Sequence, residues 1–269
     1  MTFETQGFLS QDIETWRKRF VEKNSEWFGI AARVNEVAQK LAFSAHTKDG
    51  GRNAERRLLA GQLFVRVLSS FQGAILMAER GMTVEARTLV RGCLESTFIL
   101  GALHDDDYEI VKIMLHADYN SRRTLAYNLS RNAIFRGVVD ANTLRNVDSL
   151  ADAAAKPCQV PKLSYKELAE KGGMEGLYDI YKQLSADAAH PTVTSLSRHL
   201  DPDERDTANS VVCGPDGNVS ELIDTISLAL NILLGACMAF NQTVENPDAN
   251  DALRAVFEEL CQLHKRNLT

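Results

Sequence analysis

Several of the features that mark special classes of protein are missing from this 269-residue chain. Its five cysteines form no Cys-x-x-Cys pair, which argues against a zinc finger or a disulfide framework and indicates a reducing cytoplasm. Its first residues lack the basic and then apolar pattern of a secretory signal. The most apolar stretch, residues 226–240, has 15 residues, too few to span a bilayer, so we expect no membrane association. Acidic residues outnumber basic ones by 36 to 30, which excludes a uniformly basic nucleic-acid coat.

Proline is absent from the first 156 residues, and all six prolines lie in the rest of the chain. Because proline is the strongest helix breaker, long helices are expected in the proline-free part. The sequence therefore predicts an all-α, multi-helix bundle with a small irregular or β-hairpin excursion around residues 191–219. Within that excursion the two candidate strands are 192–194 and 211–213.

We expect one helical domain over residues 1–269. It divides into an N-terminal helical extension (1–45), a core bundle (52–245) and a C-terminal helix (248–269). Ser10, Thr83, Ser164 and Ser220 are the predicted N-caps, and Gly81 is the predicted C-terminal glycine of the second helix. The predicted helices cover about 10–43, 54–80, 84–104, 105–136, 142–155, 164–171, 174–189, 221–244 and 248–265.

Charged residues interrupt the third predicted helix where a core helix should be apolar. Arg87, Arg91 and Glu95 form a stripe at i, i+4 and i+8, and just beyond Glu95 the helix is apolar on all sides. An enclosed charge needs a partner, so this stripe is either an Arg–Glu bridge between helices or a site that holds an anion on Arg91. Arg66 points into an apolar face of the second helix, where it either joins the same pocket or extends to solvent.

A second group of polar residues lies in the predicted helix that ends at His190. Tyr178, Lys182 and Ser185 share one helical stripe, and Tyr181 and Ser185 share another. His190 precedes a proline at the negative end of the helix dipole, which favours the charged imidazole. It is either a capping histidine or a general acid/base that faces the arginine of the third helix.

The fourth predicted helix interleaves aromatic and basic residues. Tyr119, Arg123, Tyr127 and Arg131 are each four apart, and residues 120–145 contain five arginines and one acidic residue. This pattern suits stacking and phosphate contacts with single-stranded RNA, although Tyr–Arg stacking on a solvated helix also explains it.

Residues 105–109 have an Asp-Asp-x-x-Glu-like spacing, such as binds magnesium diphosphate in helical enzymes. Acidic residues at a helix start are also what the helix dipole favours, and no second motif accompanies this one. We therefore predict no metal site and no cofactor.

Two blocks of the sequence resemble the signature blocks of a bacterial family known as domain of unknown function 5677. They are EARTLVRGCLESTFILGAL at 85–103 and YKQLSADAAHPTVTSL at 181–196. The family's Arg-x-x-x-Glu pattern maps onto Arg91 and Glu95, and its later block maps onto Tyr181, Leu184, Ser185, His190 and Pro191. The resemblance spans about residues 55–240 and implies an all-α intracellular bacterial protein without an established activity.

The same residues resemble, more distantly, the helical nucleotide-binding and ribonuclease proteins of the HEPN type. Those proteins use an arginine with a histidine four to six residues later, and this spacing does not occur here. What the resemblance implies is a metal-independent ribonuclease, or a nucleotide- or RNA-binding protein, in stress or phage defence.

In this hypothesis Arg91, Glu95 and His190 are the catalytic residues. The expected substrate contacts are Arg66, Arg87, Tyr178, Tyr181, Lys182 and Ser185, together with Tyr119, Arg123, Tyr127 and Arg131. The alternative is a non-enzymatic sensor or interaction module that recognises a small anionic ligand or a partner. A homodimer is expected in either case, because long apolar helices in a bundle often pair.

Overall fold

Hydrophobic periodicity and local capping place helices along nearly all of the chain. A computed structural model describes residues 3–44, 52–104, 109–154, 164–188, 192–200, 214–215 and 218–267. Within these ranges the only β-type pairing is a single bridge residue, Leu200. The helices are α1 (Phe3–Gln6), α2 (Asp12–Lys23), α3 (Ser25–Ser44), α4 (Arg52–Ala78), α5 (Thr83–Ala102), α6 (Glu109–Ser130), α7 (Ala133–Val138), α8 (Ala141–Ala154), α9 (Tyr165–Lys171), α10 (Glu175–Ala188), α11 (Val193–Leu196), α12 (Val219–Val244) and α13 (Asn250–Asn267). The fold is an all-α multi-helix bundle, as predicted.

Helices α4, α5 and α12 pack against one another and form the centre of the bundle. Phe64 of α4 stacks on Phe240 of α12 with ring centroids 4.4 Å apart, and both side chains are fully buried. Val90 and Leu94 of α5 are also without exposed surface. Each side chain of this size stabilises the fold by about 1.5–3 kcal/mol through burial, so these three helices anchor the rest.

The remaining bundle helices cover this centre from two sides. Helix α3 packs on both α12 and α13, while α9 and α10 pack on α5. The approach of α9 to α5 depends on two glycines, since a Cβ on Gly172 would lie 3.2 Å from the backbone carbon of Gly101. The packing of α9 and α10 on α5 is what brings the two polar segments of the sequence together.

Residues 109–154, which we call the helical arm, contact the bundle sparingly. Helix α6 packs mainly on α8, and it reaches the central core through Ile110 and Val111 at its first turn. Large apolar side chains elsewhere in the arm are exposed, including Leu125, Ile134 and Val138.

Asparagine side chains end two helices earlier than the periodicity predicts. The predicted helix 10–43 breaks at Asn24, whose backbone and side-chain nitrogens both donate to the carbonyl of Phe20. The helix predicted to reach residue 136 ends at Ser130, and Asn132 caps α7 by accepting from the Phe135 N–H at 2.9 Å.

The predicted caps are correct in part. Ser164 forms a capping box with Glu167, and Gly81 has a φ of 72°, the left-handed conformation expected after a helix end. Thr83 does not cap α5: Met82 is the cap residue, and Thr83 itself is buried. Ser220 is likewise not a cap, because the side chain of Asn218 accepts the Glu221 N–H instead.

The predicted strand at 192–194 is wrong. Thr192 and Ser195 form a reciprocal capping box, and this local pairing starts the short helix α11. The candidate strand 211–213 lies outside the described residues.

Two helices are long and apolar enough to cross a membrane by length and composition, Asn53–Ala78 and Val219–Val244. Both helices pack in the centre of the bundle. Buried core helices of soluble proteins also pass this length and composition test. Their share of buried residues differs, 39% against 61%, because one face of α4 is open to solvent.

Candidate functional site

Helices α5 and α10 meet in a cluster of four polar side chains. Arg91 and Glu95, one turn apart on α5, form an ion pair with 2.7 Å between Nη2 and Oε1. Arg91 also donates from Nε to Ser185 Oγ at 3.0 Å and from Nη2 to Tyr181 Oη at 3.4 Å. The Tyr181 hydroxyl donates in turn to Glu95 at 3.2 Å. The structure thus brings together four of the predicted site residues, which we call the Arg91 cluster.

The Arg91 cluster is partly open to solvent, and not all donors of Arg91 are hydrogen-bonded within the described residues. The Arg91 side chain is 25% exposed and that of Glu95 is 17% exposed. Nη1 of Arg91 makes no hydrogen bond to any residue in the described ranges, although Nε and Nη2 are both engaged. The contacts therefore hold the guanidinium plane in place and leave one edge of donors unused.

Aromatic rings enclose the Arg91 cluster on the α9 and α10 side. The Tyr181 ring lies 5.4 Å from the Arg91 guanidinium carbon and stacks on Tyr178 with centroids 5.8 Å apart. Tyr165 of α9 lies 5.3 Å from the Tyr181 ring, and Phe98 of α5 meets it edge-on. The three tyrosines are each half-buried, so part of each side chain remains accessible to solvent.

Tyr165 is a site residue that the sequence reasoning missed. Burial and the nearby Glu95 carboxylate raise the pKa of the Tyr165 phenol, while Arg91 and Arg66 lower it by a smaller amount. Its hydroxyl therefore stays protonated, and it makes no hydrogen bond within the described part of the chain. Only its position after the capping serine of α9 could have drawn attention to it, because α9 and α5 are far apart in sequence.

Arg66 extends to solvent, which is one of the two positions that the sequence left open. Its side chain is exposed and does not lie in the apolar face of α4. Four-residue spacing places a residue on a helix face but does not show where a long side chain ends. The positive charge of Arg66 lowers the pKa of the Tyr165 phenol, which places Arg66 at the edge of the Arg91 cluster.

Arg87, one turn before Arg91, contacts a different set of side chains. It pairs with Asp187 at 2.6 Å and with Glu221 at 3.4 Å, and Arg198 pairs with the same two carboxylates at 2.9 and 2.5 Å. The hydrogen bonds to Glu221 and Asp187 raise the pKa of Arg198. This four-residue ion cluster joins α5, α10, α12 and the turn at 197–199, and the sequence reasoning found only its Arg87.

Lys182 lies beside Tyr178 on α10 but is exposed to solvent. Lys182 is exposed and pairs with Asp179 at 2.7 Å, a contact that raises the pKa of its ammonium group. Its Nζ lies 5.5 Å from the centre of the Tyr178 ring. Within the described residues, Lys182 makes no hydrogen bond to the Arg91 cluster.

The proposed acid/base His190 and the neighbouring Pro191 lie outside the described residues, as do the acidic residues 105–107. The structure therefore gives no position for His190 relative to Arg91. Within the described ranges no group of three or more His, Cys, Asp or Glu side chains is arranged to hold a metal ion.

The predicted RNA-facing stripe lies along α6 in the helical arm. Arg123 stacks over Tyr119 at 5.3 Å and is only 6% exposed, whereas Tyr119 is 47% exposed. Arg131 stacks over Tyr127 at 4.6 Å, and both of these residues are exposed. Of the four residues of the stripe, Arg123 is therefore the one that is buried.

These features define an all-α bundle with a half-buried arginine, carboxylate and tyrosine cluster between two helices. Residues 57–208 match the model of a family of unknown function, DUF5677. The match covers more than half of the chain, so this protein belongs to the DUF5677 family, as the two signature blocks predict. No curated protein and no solved structure matches the chain.

The family match contains the whole Arg91 cluster. Arg91, Glu95, Tyr181, Ser185 and the neighbouring Tyr165 all fall within residues 57–208. Helices α2, α3, α12 and α13 lie outside the matched range, although α12 is central to the fold.

Proposed function

We propose that the chain binds RNA or a nucleotide at the Arg91 cluster. The observation that carries this proposal is the state of Arg91: its guanidinium is oriented by three side chains while Nη1 remains unused within the described residues. A guanidinium fixed in this way is prepared to bind a phosphate oxygen with little loss of side-chain entropy.

The charges around the cluster favour an anion. Arg66 and Arg91 contribute two positive charges against the single negative charge of Glu95, and Arg66 has no ion-pair partner among the described residues. The protonated Tyr165 hydroxyl adds a neutral donor next to them. Together these groups supply donors for a phosphate, and the half-buried tyrosine rings supply aromatic surfaces for stacking a base.

In the helical arm, Tyr127 and Arg131 offer a second contact for a longer RNA. Their stacked side chains are exposed, and Arg145 adds another exposed positive charge on α8. An RNA chain that uses both regions binds with a salt-dependent affinity, because each phosphate contact releases counterions.

A binding experiment with matched charge changes tests this proposal. We expect Arg66→Gln and Arg91→Lys each to weaken the binding of a fluorescent single-stranded RNA about tenfold, through loss of a charge-assisted contact. Arg19→Gln, which removes another exposed arginine, on α2, should leave binding unchanged. Equal affinity of wild type and both site variants would contradict the proposal.

The finer proposal is metal-independent RNA cleavage, with the Arg91 guanidinium stabilising charge on the phosphate and His190 acting as acid or base. Its support is the position of His190, five residues after Ser185 and inside the matched residues 57–208. Purified protein should cleave RNA in the presence of EDTA, and His190→Ala should abolish cleavage while RNA binding remains. RNA that stays intact with the wild type would show a binding protein rather than a nuclease.

The cellular role that fits such an activity is stress or phage defence. Overexpression of the wild type should then slow bacterial growth, and the Arg91→Ala variant should not. Toxicity that persists in this variant would separate the growth effect from the Arg91 cluster.

One observation favours the alternative of a non-enzymatic sensor or interaction module. Arg91 joins α5 to α10 through Ser185 and Tyr181, which is what a structural bridge does. If the cluster is structural, Arg91→Ala should lower the unfolding midpoint by several degrees and leave any RNA affinity intact. A site that binds a ligand should show the reverse, with lost binding and a small change in the midpoint.

We further propose that the protein is a cytoplasmic homodimer. Leu58, Val65 and Leu76 of α4 are each at least half exposed and lie on one line along the helix, since they are 7 and 11 residues apart. An open apolar stripe on a central helix is suited to an identical stripe from a second copy. Light scattering should give twice the chain mass for the wild type and a monomer mass for Val65→Glu.

A further inference from the structure

The ion cluster around Asp187 lies directly beside the Arg91 cluster. On α10, Asp187 follows Ser185 by two residues, and on α5 Arg87 precedes Arg91 by one helical turn. Arg87 and Asp187 pair at 2.6 Å across the same two helices that Arg91 and Ser185 join at 3.0 Å. Because these contacts are neighbours on one pair of helices, a displacement of α10 at the first contact also moves the second.

Residues 192–200, which we call the strap, supply Arg198 to this ion cluster. Arg198 donates from Nε and Nη2 to the two carboxylate oxygens of Asp187 at 2.9 and 3.0 Å. It also donates from Nη1 and Nη2 to Glu221 of α12 at 2.5 and 2.7 Å. One guanidinium therefore contacts both oxygens of two carboxylates and ties α10 to α12.

Apolar burial contributes little to the attachment of the strap. Val193 and Leu196, the two large apolar side chains of α11, are 88% and 53% exposed. The side chain of Arg198, in contrast, is only 24% exposed. Its four charge-assisted hydrogen bonds therefore provide a large part of what holds the strap against α10 and α12.

The charges of the ion cluster balance only while Arg198 is in place. Its two arginines and two carboxylates sum to zero, and all four side chains are mostly enclosed. Without Arg198, both carboxylates would depend on Arg87, which pairs with Asp187 at 2.6 Å and with Glu221 at 3.4 Å. Two enclosed carboxylates that share one cation repel each other, so we expect α10 to shift away from α12.

We propose that Arg198 is a positioning residue for the ligand site at the Arg91 cluster. It holds α10 at the position where Ser185 Oγ and the Tyr181 hydroxyl both accept from Arg91. Within the described residues Arg198 makes no hydrogen bond or ion pair to any of these three side chains, so its effect passes through α10. This inference rests on the proposed ligand binding at Arg91, and it couples that site to α12, which lies outside the family match.

RNA binding by full-length variants tests this role. Arg198→Gln should weaken the binding of the fluorescent single-stranded RNA about tenfold. Arg198→Lys should recover only a small part of this loss, because an ammonium group lacks the planar fork that holds two carboxylates. Arg33→Gln breaks another arginine–glutamate pair between helices, with Glu259, and is the matched control that should bind like the wild type.

Two outcomes of this comparison would overturn the proposal. Wild-type affinity of Arg198→Gln would show that the ligand site does not depend on the strap. Full recovery in Arg198→Lys would show that only the net charge near the site matters.

A double-mutant cycle shows whether the effect passes through α10. Ser185→Ala removes one contact between α10 and Arg91, so in this background Arg198→Gln should weaken RNA binding by less than about threefold. An equal loss in both backgrounds would mean that Arg198 acts on RNA by another route and would contradict the proposal.

A measurement without ligand separates this inference from the proposed function. In nitrogen-15 NMR spectra, which also show that each variant is folded, the Nε–H signal of Arg91 reports its contact with Ser185, and Arg91→Lys assigns it by its loss. Exchange of this hydrogen should be about tenfold faster in Arg198→Gln and unchanged in Arg33→Gln. Unchanged exchange in Arg198→Gln would overturn the positioning role even where RNA binds. Faster exchange in a protein that binds no RNA would support the positioning of Arg91 and contradict the RNA assignment alone.

Discussion

At the scale of single residues, the hydroxyl of Tyr181 is the link between the arginine and the carboxylate of α5. It accepts from Arg91 and donates to Glu95 across the helix contact. Tyr178, one turn earlier on α10, shares the ring stacking, but its hydroxyl makes no hydrogen bond to a described residue. Two neighbouring tyrosines on one helix therefore differ in the hydrogen bonding of their hydroxyl groups.

Tyr181→Phe removes this link and keeps the ring. We expect it to lower the free energy of unfolding by about 1 kcal/mol, the value of a partly exposed hydrogen bond. Urea denaturation measures the loss. Tyr178→Phe is the control and should change stability by no more than about 0.5 kcal/mol. Equal losses for the two variants would mean that the hydroxyl of Tyr181 contributes nothing to the contact.

Gly81 lies at a turn where residues distant in sequence come close together. Its φ of 72° favours glycine, and a Cβ there would lie 2.9 Å from Pro215 Cα and 2.9 Å from the Trp16 ring. The sequence predicted the turn, because a glycine after a helix is a local signal. It did not predict the contact with Pro215, which follows only from the packed fold.

Gly81→Ala should therefore destabilise the protein by at least about 1 kcal/mol through backbone strain, with the clash adding to it. Gly61→Ala is a control of the opposite sign, since a Cβ at that position in α4 meets nothing within 4 Å. It should stabilise the protein by about 0.5–1 kcal/mol by favouring the helix. Thermal unfolding followed by circular dichroism checks both, and a stabilised Gly81→Ala variant would contradict the strain argument.

At the scale of helices, local and distant pairings differ in how well they can be predicted. The Arg91–Glu95 pair follows from helix geometry, because residues four apart lie on one face. The partner of Arg87 is Asp187, 100 residues away, and it could not be identified until α10 was placed on α5. The same holds for Ser185 and Tyr165: the sequence indicated polar stripes, but packing selected which stripes meet.

The ion cluster around Asp187 should stabilise the packing of α10 on α5 and α12. Asp187 is 13% exposed and pairs with both Arg87 and Arg198, so Asp187→Asn leaves two enclosed positive charges with less compensation. We expect a loss of about 2 kcal/mol in the free energy of unfolding.

Asp179→Asn on the same helix is the matched control for this change. Asp179 is 76% exposed, and its pair with Lys182 should contribute far less to stability, because water screens exposed charges. Chemical denaturation of both variants gives the comparison. If Asp187→Asn lowers the free energy of unfolding no more than Asp179→Asn does, the ion cluster does not stabilise the helix packing.

At the scale of the whole molecule, one apolar cluster runs through helices α2–α6, α9, α10, α12 and α13. Cys93 and Cys237 lie inside it with 1% and 0% exposure, whereas Cys261 on α13 is half-buried. Burial raises the pKa of Cys93 to about 12 and raises that of Cys237 as well, so both thiols stay protonated at neutral pH.

Maleimide labelling followed by peptide mass spectrometry should therefore separate these cysteines. Cys261 should react in the native protein, while Cys93 and Cys237 should react only as fast as the whole bundle unfolds. In denaturant all three should react alike. Native labelling of Cys93 at the rate of Cys261 would show that the core opens locally, without global unfolding.

Much of this protein could be read from its residues in order. Helix content, the capping box at Ser164, the turn at Gly81 and the family signatures are local patterns, because hydrogen bonds and side-chain periodicity within a helix act over a few positions. Which helix faces meet is a different matter, since it depends on how all the apolar surfaces are buried at once. The joining of Arg91 to Tyr181 and the separation of Arg87 into its own ion cluster arise at that level.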